Sequence, residues 1–390
     1  MTMIATTLNH NIPFVISDIL ISSPEGKDDV QLPTNDFPIN LHLSRHIANK
    51  PHELRQKLYI IQSNICVAIV GNLAELIPFI KEFRTQCKYY SRFGERKVTK
   101  DDIASFLQGY GLDEKMKKSG FLISHVGYDE NGNPESWNQF TRGPWDYVQN
   151  DVFEEALACG SGRDEFFNHV NQSVGVQSSH GKGDINFALQ MNILFISRLL
   201  TIERVTLSNL SSAWGAGYEL AMFTGTEFKK LESIGYVVMH GEFDSSGEIG
   251  IPEPKLVLYY KYVNDILYIT AIELYDVMKT VNDKEIIFRS QRTMVNIYVV
   301  VSVEHTDEDP PIEILNDFSF NTNAVAMGYA IITPSNGVYN PAFYTVSKDV
   351  SVNFVQDKFV EVRLHADLNN MVRSGAKSAY PNILKETKAN

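Results

Sequence analysis

Two strand-to-helix junctions carry glycine where backbone N–H groups would point outward past no side chain. Gly71-Asn72 closes the apolar run Ile65–Val70, and Cys159-Gly160-Ser161-Gly162 follows Ala156–Ala158. Amides so placed suit the stabilisation of an oxyanion, the charge that grows on a carbonyl oxygen under nucleophilic attack. Other groupings carry less. His42 and His46 stand four apart, with Asp36 upstream and His52 downstream, a spacing that could put two metal ligands on one helix face. Pro51 disrupts a helix there, and short histidine-containing loops are usually solvated, so no metal is expected. Ser179-His180-Gly181-Lys182-Gly183 has the glycines of a phosphate loop without Walker spacing and reads as a flexible entry to a helix. Glu304–Asp309 lacks the alternating ligands of an EF-hand loop. His125 and His169 fall in strand and helix patterns and read as core-edge residues. No cofactor is expected.

The elements that must position the glycines follow from pattern. Met3–Leu8 and Phe14–Ser22 are short β-rich runs separated by the turn Asn9–Pro13. Pro24–Arg55 is polar and rich in Asn, Pro and His, and reads as a long loop or insertion. Lys57–Gln62 and Ile65–Val70 form a hairpin hinged at Ser63-Asn64. Asn72 is placed to cap a helix with an apolar stripe at Leu73, Leu76, Ile77, Ile80, Phe83 and Cys87, in which Pro78 sits uncomfortably deep. Thr99 approximates a capping box for a second helix. Phe121–Tyr128 returns to strand before the turn Asp129–Gly132, and a helix near Asp164–Gln172 follows the Gly-Ser-Gly. Asp184 caps Ile185–Leu200, apolar on nearly every side and so expected between layers. From Leu207 the texture turns to β-branched and aromatic runs: Tyr218–Phe223, Tyr236–His240, Leu256–Tyr262, Ile266–Leu274, Ile286–Arg289, Val295–Val303, Ala324–Ile332 and Lys358–His365. Helical period returns weakly around Ala376–Leu384.

Composition bounds the class. The chain has 390 residues, 44% hydrophobic and 21% charged, which excludes disorder over its length and gives a prior of two or three domains. A net charge of −12 argues against a phosphate-neutralising groove, so no nucleic-acid partner is expected. The three cysteines are scattered and lack C-x-x-C spacing, which fits a reducing compartment. No apolar run approaches the roughly 20 residues of a membrane helix, and the first residues have no signal-peptide pattern. The expectation is a cytoplasmic globular protein with no membrane partner.

The order of elements and the spacing of a few residues resemble the proteasome β-subunit type of N-terminal-nucleophile (Ntn) hydrolase over about residues 2–225. Removal of Met1 would expose Thr2; Asp18 lies 16 positions on, and Gly71 lies 14 positions after Lys57, both offsets used by that family. Gly160-Ser161-Gly162 matches its helix-opening motif. The insertion at about 24–55 departs from the pattern. So does Ser211–Gly217, where the family has an acidic residue and then Ser-Gly-Gly; no aspartate is present here.

The resemblance implies an α+β fold: an Ntn-hydrolase-like αββα sandwich of two stacked sheets flanked by helices, over residues 1–245. A mainly β domain would follow over 246–390. It implies a catalytic set of Thr2, Asp18, Lys57, Gly71 and Ser161. The threonine hydroxyl would be the nucleophile and its own α-amine, with a pKa near 8, the base. Lys57 would hold positive charge beside it, Asp18 would fix Lys57, the Gly71 N–H would face the oxyanion, and Ser161 would orient the amine. The expected activity is hydrolysis of a peptide or other amide by a homo-oligomer. The alternative is an inactive Ntn-fold scaffold that associates through its β-rich C-terminal region.

Overall fold

The computed structural model describes residues 3–9, 11–26, 30–34, 50–94, 96–140, 146–148, 153–171, 184–206, 214–242, 249–305, 324–332, 339–345, 350–355 and 359–379. The chain opens with β1 (Met3–Asn9), β2 (Ile12–Asp18), β3 (Leu20–Ser23), β4 (Lys50–Gln56), β5 (Leu58–Gln62) and β6 (Ile65–Gly71). Asn11 turns the first hairpin at φ 62°, a conformation asparagine tolerates. Next come α1 (Leu73–Gly94), α2 (Lys100–Tyr110), the single turn α3 (Leu112–Lys115), β7 (Ser119–Tyr128) and β8 (Pro134–Phe140). The helix starts are the expected ones. The Ala74 N–H donates to Asn72 Oδ1 at 3.0 Å, and Thr99 and Asp102 complete a reciprocal capping box. Then follow β9 (Asp146–Val148), β10 (Glu155–Gly160), α4 (Arg163–Asn171), α5 (Ile185–Thr206), β11 (Tyr218–Phe223) and β12 (Phe228–Lys230). The Phe187 N–H caps on Asp184 Oδ1 at 3.0 Å.

Two sheets arise from these strands. One is six-stranded in the order β12-β11-β2-β1-β10-β9, the other four-stranded in the order β5-β6-β7-β8. Ile4, Val15, Cys159 and Ala221 of the first meet Leu58, Cys66, Ala68 and Leu122 of the second in one buried cluster, which makes a mixed α+β sandwich. The four-stranded sheet turns Val67, Ile69, Phe121 and Ile123 towards α1 and α2, where Phe79 stacks on Phe121 with ring centroids 4.5 Å apart.

A third sheet takes the remaining strands, β13 (Ile234–Glu242), β14 (Glu253–Val263), β15 (Ile266–Val281), β16 (Glu285–Ser302), β17 (Ala324–Ile332), β18 (Tyr339–Thr345), β19 (Val350–Val355) and β20 (Phe359–His365). They run in the order β18-β17-β13-β14-β15-β16-β20-β19, and β4 joins in parallel beside the end of β16 while pairing antiparallel with β3. The helix α6 (Ala366–Ala379) closes the described chain, earlier than the weak period at 376–384 suggested. The runs Ile286–Arg289 and Val295–Val303 prove to be one strand, β16, because its polar middle still pairs with β15. Within the stretch read as a loop, Lys50–Gln56 is a strand. Its proline and charges hide it, yet the Arg55 N–H donates to Ile19 O at 2.8 Å.

α5 lies between the six-stranded sheet and the third sheet. Phe195, Ile196, Leu199 and Leu200 share one cluster with Phe14 and Ile16 on one side and Tyr236, Leu258 and Ala326 on the other. Contrary to the sequence expectation, Ile185–Val205 has the length and composition to cross a membrane; 56% of its most apolar window is buried inside the protein. That placement between layers is what its all-round apolar pattern predicts. The approach to β17 is closest at Gly328, where an added Cβ would fall 1.8 Å from Thr201 Oγ1 and 2.9 Å from Ser197 O. Gly328→Ala is therefore expected to lower unfolding stability by about 3 kcal/mol or more, as overpacking of a backbone-lined contact does. Urea unfolding of the variant beside the wild type measures it.

Candidate active site

Asp18 ends β2 and Lys57 immediately precedes β5, so each stands at a strand terminus in the sandwich. Their side chains are 0% and 2% exposed. Lys57 Nζ donates to Asp18 Oδ1 at 2.7 Å and to Leu20 O at 2.6 Å. The same Oδ1 accepts the Met3 N–H at 3.0 Å, so ammonium and leading peptide stand within about 6 Å of one another. The Gly215 N–H donates to the other oxygen, Oδ2, at 2.9 Å. Burial pushes the Lys57 ammonium below its ordinary pKa, against the opposing pull of Asp18 and Glu219.

Glu219, on β11, fixes the backbone from which Lys57 projects. Its Oε2 accepts the N–H groups of Lys57 at 2.7 Å and Leu58 at 3.1 Å. Its Oε1 accepts Lys230 Nζ at 2.8 Å and the Tyr262 hydroxyl at 3.1 Å. The β2–β11 register sets this up by pairing Tyr218 with Asp18 and Glu219 with Ser17. A cavity of about 560 Å³ opens beside the Lys230 end, lined by Gln56, Tyr59, Phe228, Lys230 and Tyr262 among others.

The remaining expected positions fall around this pair. The β1–β10 register pairs Met3 with Gly160, and Ser161, half-buried, is the next residue. Gly71 ends β6 two residues beyond Ile69, whose N–H donates to Lys57 O at 3.1 Å; it is exposed, at φ +114°. A Cβ there would fall 2.4 Å from Lys118 O, so only glycine fits. Thr2 lies outside the described residues, as do His42, His46, Asp36, Ser179–Gly183 and Ser211. His52 is exposed on β4, and Glu304 pairs with Arg84 at 2.9 Å. Among the described residues, no group of three or more His, Cys, Asp or Glu could hold a metal. Cys66, Cys87 and Cys159 are buried thiols held above their ordinary pKa, Cys87 at about 12, which makes them poor nucleophiles.

Sequence reasoning missed Glu203 and Glu219. Both are carboxylates inside apolar runs, which is the signal that could have found them. Glu203, on α5, is fully buried. It accepts the Ala216 N–H at 2.9 Å, the Tyr218 hydroxyl at 3.2 Å and the Thr34 hydroxyl. Burial outweighs these donors and raises its carboxyl to about 7. Two residues before Ala216, Trp214 donates from Nε1 to Glu165 at 2.6 Å and covers Gly162, where a Cβ would fall 2.3 Å from the indole.

Residues 44–138 match a family model described as proteasome subunit. The matched segment runs from β4 through most of β8, includes Lys57 and Gly71, and makes the chain proteasome-subunit-like there. No curated protein matches the chain.

Glu203 makes stability depend on pH. Between its ordinary value near 4.5 and 7, the folded protein keeps a proton that the unfolded chain has released. Stability therefore falls as pH rises through that window, by about 1.4 kcal/mol for each pH unit. Glu203→Gln is expected to remove this share of the decline. Urea midpoints of both proteins at pH 5 and pH 8 measure the difference.

Proposed function

We propose that this proteasome-subunit-like chain is an amide hydrolase of the Ntn type, with the hydroxyl of Thr2 as nucleophile once Met1 is removed. The observation that carries the reading is the shared oxygen: Asp18 Oδ1 accepts both the Lys57 ammonium and the Met3 N–H, the peptide that follows Thr2. The two facing sheets, with α1 and α2 packed outside one and α4 and α5 outside the other, support an Ntn αββα sandwich.

In this mechanism the Thr2 α-amine takes the hydroxyl proton as the oxygen attacks the substrate carbonyl. The Lys57 charge favours the alkoxide, and Asp18 fixes that charge. The Gly71 N–H is the assigned donor to the oxyanion. Collapse expels the amine with the proton, leaving an ester on Thr2 that water hydrolyses by the reverse relay. Ser161, one residue past the rung partner of Met3, orients the amine. Peptides or other amides are the substrates. The proposed setting is a cytoplasmic homo-oligomer, without nucleic-acid or membrane partners, in which the third sheet governs access or association.

The second reading, an inactive scaffold, draws support from the element Ser211–Gly217, which has no aspartate and places bulky Trp214 against Gly162. Intact mass of the purified protein, with and without an epoxyketone or β-lactone, decides between them. The hydrolase reading expects loss of Met1 and one adduct per chain, with labelling cut at least a hundredfold in Thr2→Ala and Lys57→Ala. Retained Met1, or no adduct on folded wild-type protein, would count heavily against catalysis and leave the scaffold reading.

A further inference from the structure

We propose that Glu203 is a positioning residue for the Asp18–Lys57 pair, acting through the turn Gly215–Gly217. The assignment deepens the hydrolase reading and rests on it for its catalytic consequence.

The turn cannot hold its shape by itself. Gly215, Ala216 and Gly217 have φ of 109°, 64° and 128°, three successive positive values, and Ala216 takes its value against the steric cost of a Cβ. Two successive amides of this turn each end on a buried carboxylate. The Gly215 N–H reaches Asp18 Oδ2 at 2.9 Å, and the Ala216 N–H reaches Glu203 Oε1 at 2.9 Å. At Gly217 there is no slack, because a Cβ would stand 2.9 Å from the Tyr260 hydroxyl and 3.0 Å from Ile19 Cδ1. Glu203 is itself anchored on both oxygens, by the Thr34 and Tyr218 hydroxyls, so it is a fixed acceptor. Without it, the buried Ala216 N–H loses its partner and the strained turn relaxes. Gly215 then withdraws from Asp18, whose Oδ2 loses this donor, so the carboxylate is less firmly oriented towards Lys57 and Met3.

Among the described residues, the charged and titratable groups that face Glu203 are Asp18 on β2, Tyr218 on β11 and Tyr260 on β14. Beside it on α5, Arg204 is held by Glu273 at 2.8 Å and donates to Thr34 O at 3.2 Å. Above about pH 7, Asp18 and Glu203 thus place two negative charges on one turn. The protonation state of Glu203, which changes near pH 7, alters the field at Asp18, the partner of Lys57, while leaving an oxygen to accept from Ala216.

The test is the rate of β-lactone labelling across pH 5.5–9, with amide hydrogen exchange of segment 214–218 read in parallel. E203A is expected to lose tenfold or more in the saturating labelling rate at unchanged half-saturating concentration, and to exchange tenfold faster over the segment. E203Q, which keeps an acceptor oxygen, is expected to recover most of the rate and to keep the inflection of the Thr2 amine near 8, but to lose the further inflection near pH 7 shown by the wild type. Adding A216G to E203A relieves the positive-φ cost and is expected to restore at least threefold. Labelling by E203A within twofold of wild type, unchanged exchange, or an E203Q profile that keeps the inflection near pH 7 beside that of the amine would each overturn the proposal. If E203A does not fold, the E203Q profile decides. If the wild type is not labelled, the hydrolase reading fails, and the exchange comparison still decides whether Glu203 holds the turn.

Discussion

The burial of one lysine with one aspartate governs this molecule. Taking a carboxylate and an ammonium out of water costs several kcal/mol each, and attraction between them offsets that only when the remaining lone pairs and protons are also satisfied. The neighbourhood of Asp18 meets that demand. Its oxygens collect donors from the first strand, from Lys57 and from the turn before β11, and Lys57 in turn reaches the carbonyl of Leu20. Each donor belongs to a different part of the chain, so the pair can be satisfied only in the finished fold.

A second carboxylate with an ammonium partner repeats the logic beside it. Glu219 and Lys230 lie on adjacent strands, and Glu219 spends its other oxygen on the amides of Lys57 and Leu58. The strand that lines up Asp18 with Tyr218 therefore also aims Lys57 from behind. Strand register is the agent here, since a slip by one residue would turn every one of these side chains to the opposite face. The substantial apolar packing between the sheets holds that register, so the core's contribution to the site is geometric as much as energetic.

Legibility in the sequence tracked how local each signal was. The caps at Asn72, Thr99 and Asp184, the Ser63-Asn64 hairpin and the apolar stripe of α1 are written within a few residues of where they act. The spacing of Lys57 and Gly71 was readable because one hairpin carries both. β8, with the sequence PESWNQF and only partial burial, offers no alternation to detect; it is held by pairing with β7. β4 was hidden for the same reason, its partners being β3 and the distant β16. Glu203 sits in a helix whose composition reads only as core. Its meaning comes from Ala216 and Thr34, neither of them a near neighbour along the chain. Nothing local distinguishes Lys57 from a solvated strand end; its burial follows from Asp18 and Leu20.

The position of α5 between two sheets has a consequence for biogenesis. During synthesis its first cover, most of the six-stranded sheet, is made before or soon after it. The strand that fits around Gly328 emerges more than a hundred residues later. At the usual pace of translation, about 5–20 residues per second, the part of its apolar flank that β17 covers stays open on the ribosome for on the order of ten seconds. Nascent chains of this protein are thus natural clients for chaperones that shield apolar surface, and premature termination before Ala324 would yield a sticky fragment rather than a smaller working molecule.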